Sequence, residues 1–434
     1  MTRLLHLGLG AFHRAHQAPY TQDAGGWRIE AVSMRDPTLA DAIEAAKSYH
    51  LLIRAPDGPE ARRIDVIDRG HALSRGAGPI ADRMAAPEIA AVTLTVTEKG
   101  YGLDRATGGP DRRDATTAHD LAHPDSPRGA IGTLLLGLHR RARAGLPPLT
   151  VLSCDNLPEN GAVLARLARE TARITRPGLL PYLDACAFPS SMVDRITPAT
   201  TEETLDTIAR LTGQRDPLTV ETEPFSQWVI EDTAAGPLPD WAAAGAQIVP
   251  DVAPWEAMKL RMLNGAHSTI AYLGLVAGHA HVRDVMADAA LAPQVRAVME
   301  TAARTLPRDA GLDPNGYAEA LTARFQNPAI AHRCAQIAMD GSQKLPQRLF
   351  ATVRDLLDRD MDPSPLAPGI AAWLKVLRDP DLPVSDPLEE PLRAAARASD
   401  PVREIGRVDG LAGTEIWQDR RWTNALRAAM RAGS

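Results

Sequence analysis

The stretch Arg3-Leu-Leu-His-Leu-Gly8-Leu-Gly10 constrains the fold of this chain more than any other. So short an apolar run reads as a buried strand, and the glycines behind it make a turn where backbone can approach a ligand closely. Residues 11–22 continue with a helical pattern and residues 27–35 with a second strand-like run, which completes a β-α-β unit. Further strand candidates stand at 91–97 and 149–154, with amphipathic helical stretches at 129–144 and 160–174. Strands alternating with helices imply an α/β fold built on a doubly wound parallel sheet. From about residue 255 the strand signals fade into Ala-, Leu- and Arg-rich helical segments broken by prolines. We therefore expect an α/β domain over 1–250 and a mostly α-helical domain over 251–434. A length of 434 residues favours at least two domains. The Pro- and Asp-rich stretch 378–391 reads as a loop.

With 44% hydrophobic and 24% charged residues, the chain has the composition of a soluble globular protein. A formal net charge of −6, without a basic block, argues against a nucleic-acid partner. Cys154, Cys186 and Cys334 are far apart and lack any CxxC spacing, which points to a reducing compartment without disulfides or structural zinc. No run of 18 apolar residues is present and the chain opens directly into a strand, so a cytoplasmic protein without a membrane partner is expected.

Only five of the 48 basic residues are lysine. Arginine stays protonated, whereas a desolvated lysine can lose its proton, so each lysine here is informative. Lys259 stands in the helical run Glu256-Ala-Met-Lys-Leu-Arg-Met-Leu-Asn264-Gly-Ala-His267. At about 100° per residue, Glu256, Lys259, Asn264 and His267 share an arc of roughly 140°. A rise of about 1.5 Å per residue sets Lys259 and His267 about 12 Å apart, a span that suits a six-carbon chain. A plain surface pair of Glu256 and Lys259 is the competing reading. It does not explain the amide and imidazole on the same face, nor the apolar neighbours Met258, Leu260, Met262 and Leu263. We read Lys259 as the catalytic base.

The turn Gly8-Leu-Gly10-Ala-Phe-His13 fits a dinucleotide fingerprint at two of its three glycine positions, with His13 at the third. A plain strand–helix turn is the alternative. Leu7, Gly8, Gly10, Ala11 and Phe12 are the cofactor-binding candidates, together with Asp36 at the end of the second strand. A carboxylate there accepts bonds from an adenosine ribose and disfavours a 2′-phosphate, while the preceding Arg35 pulls the other way. NAD is favoured over NADP. His13 and His16 are three residues apart, but no acidic or thiol partner completes a metal site, and none is expected. Cys154-Asp-Asn156-Leu-Pro-Glu-Asn160-Gly follows a strand where open α/β sheets bind ligands, yet taken alone it reads as an ordinary turn.

Six segments in order carry a specific resemblance: GLGAFHRAH (8–16), TEKGY (97–101), SCDN (153–156), MVDRITP (192–198), PFSQWVIED (224–232) and the Lys-x4-Asn-x2-His pattern of 259–267. Together they resemble the polyol-specific long-chain dehydrogenase family, which includes mannitol 2-dehydrogenases and fructuronate reductases. The similarity covers about residues 3–350. It implies a Rossmann-like N-terminal domain, an α-helical C-terminal domain, NAD(H) and no metal. By motif, Lys259 would be the general base or acid, Asn156 and Asn264 the oxyanion-stabilising pair, and His267 a substrate-orienting group. Glu256 would relay the proton to solvent, Asp194 would bind substrate hydroxyls, and Glu98 would line the site.

The block Asn327–Arg348 resembles the fructuronate reductase (mannonate oxidoreductase) branch more than the mannitol branch, which tends to carry Arg where Gln336 stands. A sugar acid brings a carboxylate, and Lys344 or Arg348 could pair with it. A solvated basic helix end is the alternative. The expected function is interconversion of D-mannonate and D-fructuronate by a monomer or homodimer. The alternatives are a mannitol or arabinitol 2-dehydrogenase and a nucleotide sensor that has lost catalysis. The chain is some 50 residues shorter than many members of the family, and its tail beyond about 350 offers little that matches.

Overall fold

The computed structural model describes residues 1–432. The chain divides into two compact units, Met1–Ala253 and Pro254–Ser434. In the first, β1 (Arg3–Leu7), β2 (Arg28–Ser33), β3 (Ile67–Ala72), β4 (Ile89–Leu94) and β5 (Thr150–Ser153) form a sheet ordered β3-β2-β1-β4-β5. Every pairing in it is parallel. The order reverses at β1, which is the doubly wound arrangement expected.

Successive strand side chains point to opposite faces. Leu5, Leu7, Val92, Leu94 and Val151 enter one apolar cluster, shared with Ala77–Met84, Ala130–Arg143 and Asn160–Thr175. Leu4, Ile29, Ala31, Ala91 and Leu152 enter a second cluster on the other face. Burial on both faces explains why these strands read as nearly continuous apolar runs. Glu30 of β2 is the exception. Its fully buried carboxylate meets Arg83 at 2.7 Å, His71 at 3.0 Å and Arg69 at 3.2 Å.

The helix expected over 11–22 is broken into α1 (Ala11–Ala15) and α2 (Gln17–Ala24). Pro19 has no N–H to donate to the Ala15 carbonyl. That carbonyl instead accepts from Arg195 Nη1 at 2.6 Å, and the Arg14 carbonyl accepts from Tyr49 Oη at 2.6 Å. Two further three-stranded sheets in this unit were not expected from the residue pattern. One joins Tyr49–Ala55, Gly58–Ile64 and Val220–Thr222; the other joins Ser191–Asp194, Gln227–Glu231 and Gln247–Val249.

The second unit is helical, with Gly265–Ala277 packed on Ala367–Arg378. A Cβ at Gly369 would lie 2.7 Å from Thr269 Oγ1, so glycine sets how closely these helices approach. Two π-helical turns, Lys259–Asn264 and Pro346–Phe350, interrupt the regular helices and pack against each other. In each, an amide reaches five residues back: Gly265 N to Leu260 O, and Ala351 N to Pro346 O. No helix among the described residues is long and apolar enough to cross a membrane.

Candidate active site

In the first unit the candidate site lies at the carboxyl ends of β1, β2, β4 and β5. Gly8 has φ +113°, and a Cβ there would stand 2.0 Å from the Thr95 carbonyl oxygen. Only glycine fits. Gly10 is the extended N-cap of α1, with no side chain capping that helix and only Gly8 O within 4 Å of its missing Cβ. The α1 amides therefore lack a side-chain acceptor beside an uncluttered backbone, which fits the phosphates of a dinucleotide. Ala11 and Phe12 open that turn and are half-buried. Leu7 is different: its side chain is in the core and its carbonyl accepts from Thr95 N at 2.9 Å, so neither is open to a ligand.

Asp36 sits just past β2 and caps the helix Pro37–Ala46. Its Oδ1 accepts from Thr38 N at 2.8 Å and from Thr38 Oγ1 at 2.7 Å. Those bonds hold its carboxyl below the usual aspartate range. The second oxygen remains for a ribose hydroxyl. Beside it a cleft of ≈ 350 Å³ is lined by Arg35, Lys99 and Arg128, among others.

Under the glycine turn, His13 stacks on His6 with ring centres 3.3 Å apart. Burial pushes both imidazoles down, His6 to about 3. His16 Nε2 lies 2.9 Å from the Gln227 carbonyl oxygen. Both ring nitrogens of His13 are buried without a hydrogen-bond partner, and no group of three or more His, Cys, Asp or Glu that could hold a metal ion occurs among the described residues.

Past β4 the chain does something costly. Thr97 has φ 68°, ψ 158°, a conformation close to glycine's alone. Both adjoining amides point at one buried carboxylate: Val96 N donates to Asp155 Oδ2 at 3.0 Å and Thr97 N to Oδ1 at 2.8 Å. Tyr101 Oη adds a third bond to Oδ2, at 2.9 Å. Strain at such a residue is about 1–3 kcal/mol. Each hydrogen bond to a charged acceptor is worth about 1.5–3 kcal/mol, so three of them outweigh it. Burial raises the Asp155 carboxyl while these bonds lower it, and the net shift is upward.

Asn156 follows Asp155 directly and is exposed at the tip of β5. Glu98 follows Thr97, is exposed, and pairs with Arg105. Asp194 ends the strand Ser191–Asp194 and is buried at 6% exposure. Sequence reasoning missed Asp155, because an acid among turn formers is expected in solvent.

In the second unit Glu256, Lys259, Asn264 and His267 all lie on one continuous helical run. The regular helix expected there is not what forms. Its π turn starts at Lys259 and ends at Asn264. Bonds spanning five residues bring these two positions onto neighbouring turns, closer in angle than the roughly 140° of a regular helix. Arg261 anchors the turn through Asp355 at 2.7 Å and Thr305 at 2.8 Å. Lys259, Asn264 and Glu256 are half-buried.

His267 is buried at 9% exposure, and its Nε2 has no hydrogen-bond partner. Burial holds its imidazole well below the usual range, helped by His332, Arg324 and Arg348. Phe325 packs against it with ring centres 4.7 Å apart. Arg348, in the second π turn, donates to Ser268 Oγ at 3.1 Å, and no carboxylate among the described residues acts on its guanidinium. Burial lowers its guanidinium, with Tyr272 opposing. Lys344 is half-buried, with Nζ 3.4 Å from the Ile337 carbonyl oxygen. Burial and Arg348 lower this amine, while Asp340 and Asp386 raise it.

A family model described as the mannitol dehydrogenase Rossmann domain matches residues 2–243, and one for the mannitol dehydrogenase C-terminal domain matches residues 251–425. The chain belongs to the mannitol dehydrogenase family. Members of this family are oxidoreductases acting on CH–OH groups. The chain is 40% identical to the D-mannonate oxidoreductase of Escherichia coli, over 99% of this chain and 92% of the relative. Among solved structures, a substrate-free D-sorbitol dehydrogenase superposes with TM-score 0.91 at 29% identity, covering 99% of this chain and 92% of that one. Mannitol 2-dehydrogenase of Pseudomonas fluorescens, in a ternary complex with NAD and D-mannitol, gives TM-score 0.82 at 32% identity, covering 99% and 91%. Both the sugar-acid and the polyol branches of the mannitol dehydrogenase family are thus within reach of this sequence.

Proposed function

We propose that the protein interconverts D-mannonate and D-fructuronate with NAD(H), using Lys259 as the acid/base. The observation that carries the sugar-acid reading is Arg348: a half-buried guanidinium without a carboxylate partner, bonded to Ser268 and acting on the adjacent His267 imidazole, whose Nε2 has no partner. A buried cation without a counter-charge is costly unless a ligand supplies one. A substrate carboxylate does so with a bidentate bond. Identity to the D-mannonate oxidoreductase supports the same reading.

The glycine turn, the open α1 amides and Asp36 are the groups that would hold the dinucleotide. When bound, NAD accepts the hydride in oxidation and NADH returns it in reduction. Lys259, as a neutral amine, takes the proton from the C5 hydroxyl of D-mannonate, and Glu256 passes it towards solvent. This requires the amine to fall from about 10.4 towards neutrality. Asn156 and Asn264 are neutral donors, so they favour a developing alkoxide without pairing with it permanently. His267, uncharged, offers Nε2 to a substrate hydroxyl, and Asp194 accepts from others. In reduction the protonated amine is the acid.

The alternative is a mannitol or arabinitol 2-dehydrogenase, favoured by the likeness to mannitol 2-dehydrogenase. Turnover of D-mannonate and of D-mannitol with NAD⁺, compared at equal concentration, decides between them. Preference for D-mannitol would overturn the sugar-acid reading.

A further inference from the structure

The Asp155 carboxylate lies one residue from Asn156, and all three of its bonds go to the segment that leaves the neighbouring strand β4. We infer that Asp155 is a positioning residue, which holds Asn156 and the Thr97–Glu98 segment in reacting geometry by gripping the strained Val96–Thr97 amides. This inference rests on the reading of Asn156 as a donor to the reacting oxygen.

The residue is fixed at both ends. Its side chain takes three donors, from Val96, Thr97 and Tyr101. The Tyr101 hydroxyl is shared with Ser153 Oγ at 2.6 Å, the last residue of β5. The backbone carbonyl of Asp155 accepts from Leu157 N at 2.9 Å and from Asn160 Nδ2 at 2.9 Å. Asn160 in turn ties to Ser191, donating Nδ2 to its carbonyl at 2.8 Å and accepting its amide at 2.9 Å. The peptide leading into Asn156 is thus held by the helix Asn160–Thr175 through its carbonyl, and the side chain before it is held by the segment that follows β4.

The strain at Thr97 shows what the grip does. A β-branched residue leaves φ 68°, ψ 158° unless its surroundings impose it. Here the imposing group is an anion accepting two consecutive amides, so that the loop shape depends on this one side chain. An asparagine in its place keeps the volume. It offers a single acceptor atom, however, and turns an NH2 towards an N–H donor. The loop would relax at Thr97 and Asn156 would shift with it. Displacements of about 1 Å at a reacting group cost on the order of 100-fold in rate.

The test uses the full-length enzyme and whichever of D-mannonate or D-mannitol the wild type oxidises with NAD⁺. Asp155→Asn is expected to lower kcat about 100-fold, while KM and the NADH dissociation constant measured by fluorescence change less than about threefold. Thr97→Gly, which removes the strain, is expected to restore at least tenfold of kcat in the Asp155→Asn background and not to raise kcat in the wild type. Amide hydrogen exchange at residues 96 and 97 should speed up at least tenfold in Asp155→Asn while the β4 amides stay protected. A kcat near wild type, or equal losses in kcat and NADH affinity without rescue by Thr97→Gly, would overturn the inference. Turnover of D-mannitol alone removes the mannonate reading and leaves this test intact, whereas turnover of neither substrate removes both.

Discussion

The His267 imidazole meets that of His332 edge-on, with ring centres 5.2 Å apart and planes at 89°. Burial and the facing His332 both act against a proton on His267. Its titration is thereby pushed below the ordinary histidine range, so another group should supply the acid limb of a pH–rate profile. His267→Asn should lower kcat/KM about 10- to 100-fold, as for loss of one or two substrate hydrogen bonds, and leave the apparent pKa values of the profile in place. A limb that disappears with this substitution would contradict the assignment.

Lys259 should behave as a titrating base rather than a fixed charge. Lys259→Ala is expected to cost about 10²–10⁴ in kcat. Lys259→Arg keeps the charge but cannot lose the proton, so it should be nearly as impaired in oxidation at pH 7. Single-turnover NADH formation measures both.

Arg348 should discriminate substrates. Removing a hydrogen bond to a charged group costs about 1.5–3 kcal/mol, so Arg348→Met should lower kcat/KM for D-mannonate about 10- to 150-fold. Any slow turnover of D-mannitol should change by less than about threefold. Equal losses on the two substrates would show that Arg348 serves the fold instead of the carboxylate.

Gly8 tests the glycine turn. Its Cβ would meet the Thr95 carbonyl at 2.0 Å, and backbone cannot swing away as a side-chain end does. Gly8→Ala should weaken NADH binding at least tenfold by fluorescence titration and lower Tm, whereas Gly10→Ala, whose Cβ would meet only Gly8 O at an ordinary 3.7 Å, should leave Tm nearly unchanged.

Stability should fall on acidification in two stages. His6 is held neutral, at about 3 against an unfolded value near 6.5, so its contribution is complete above 6.5 and fades as pH drops towards 3. Glu30 ends at about 2, since its His71 and Arg83 bonds overcome the cost of burial; its contribution is complete above about 4.5 and is lost towards pH 2. Each group sets a slope of up to about 1.4 kcal/mol per pH unit within its window. Urea unfolding from pH 8 to 3 measures this, and Glu30→Gln should flatten only the part below pH 4.5.

What the sequence disclosed depended on whether a pattern was local. The alternation of buried strands with amphipathic helices showed the parallel sheet, because both faces of β1 and β4 are apolar. The glycine turn was legible because its function lies in the backbone. The short strands Val220–Thr222 and Gln247–Val249 were not, since three residues carry no period. The break between α1 and α2 was present as Pro19, but its resolution depends on Arg195, 180 positions away. Lys259 and His267 stood out by residue type, while the π turn between them did not, as nothing in Leu-Arg-Met-Leu distinguishes it from a regular helix. Asp155 was hidden for the opposite reason: its type suggested solvent, and only long-range partners show that it is buried.

The turn from Lys259 to Asn264 carries one residue more than a regular helix would hold. Straightening it into a regular helix with every residue kept would swivel Glu256 and Lys259 by roughly 100° against Asn264 and His267. Excising Leu260 would instead leave Lys259 four residues before Asn264, roughly 40° apart on a regular helix, and so keep the two in line. The surplus residue, more than the inventory of side chains, then sets the register on which a working dehydrogenase depends.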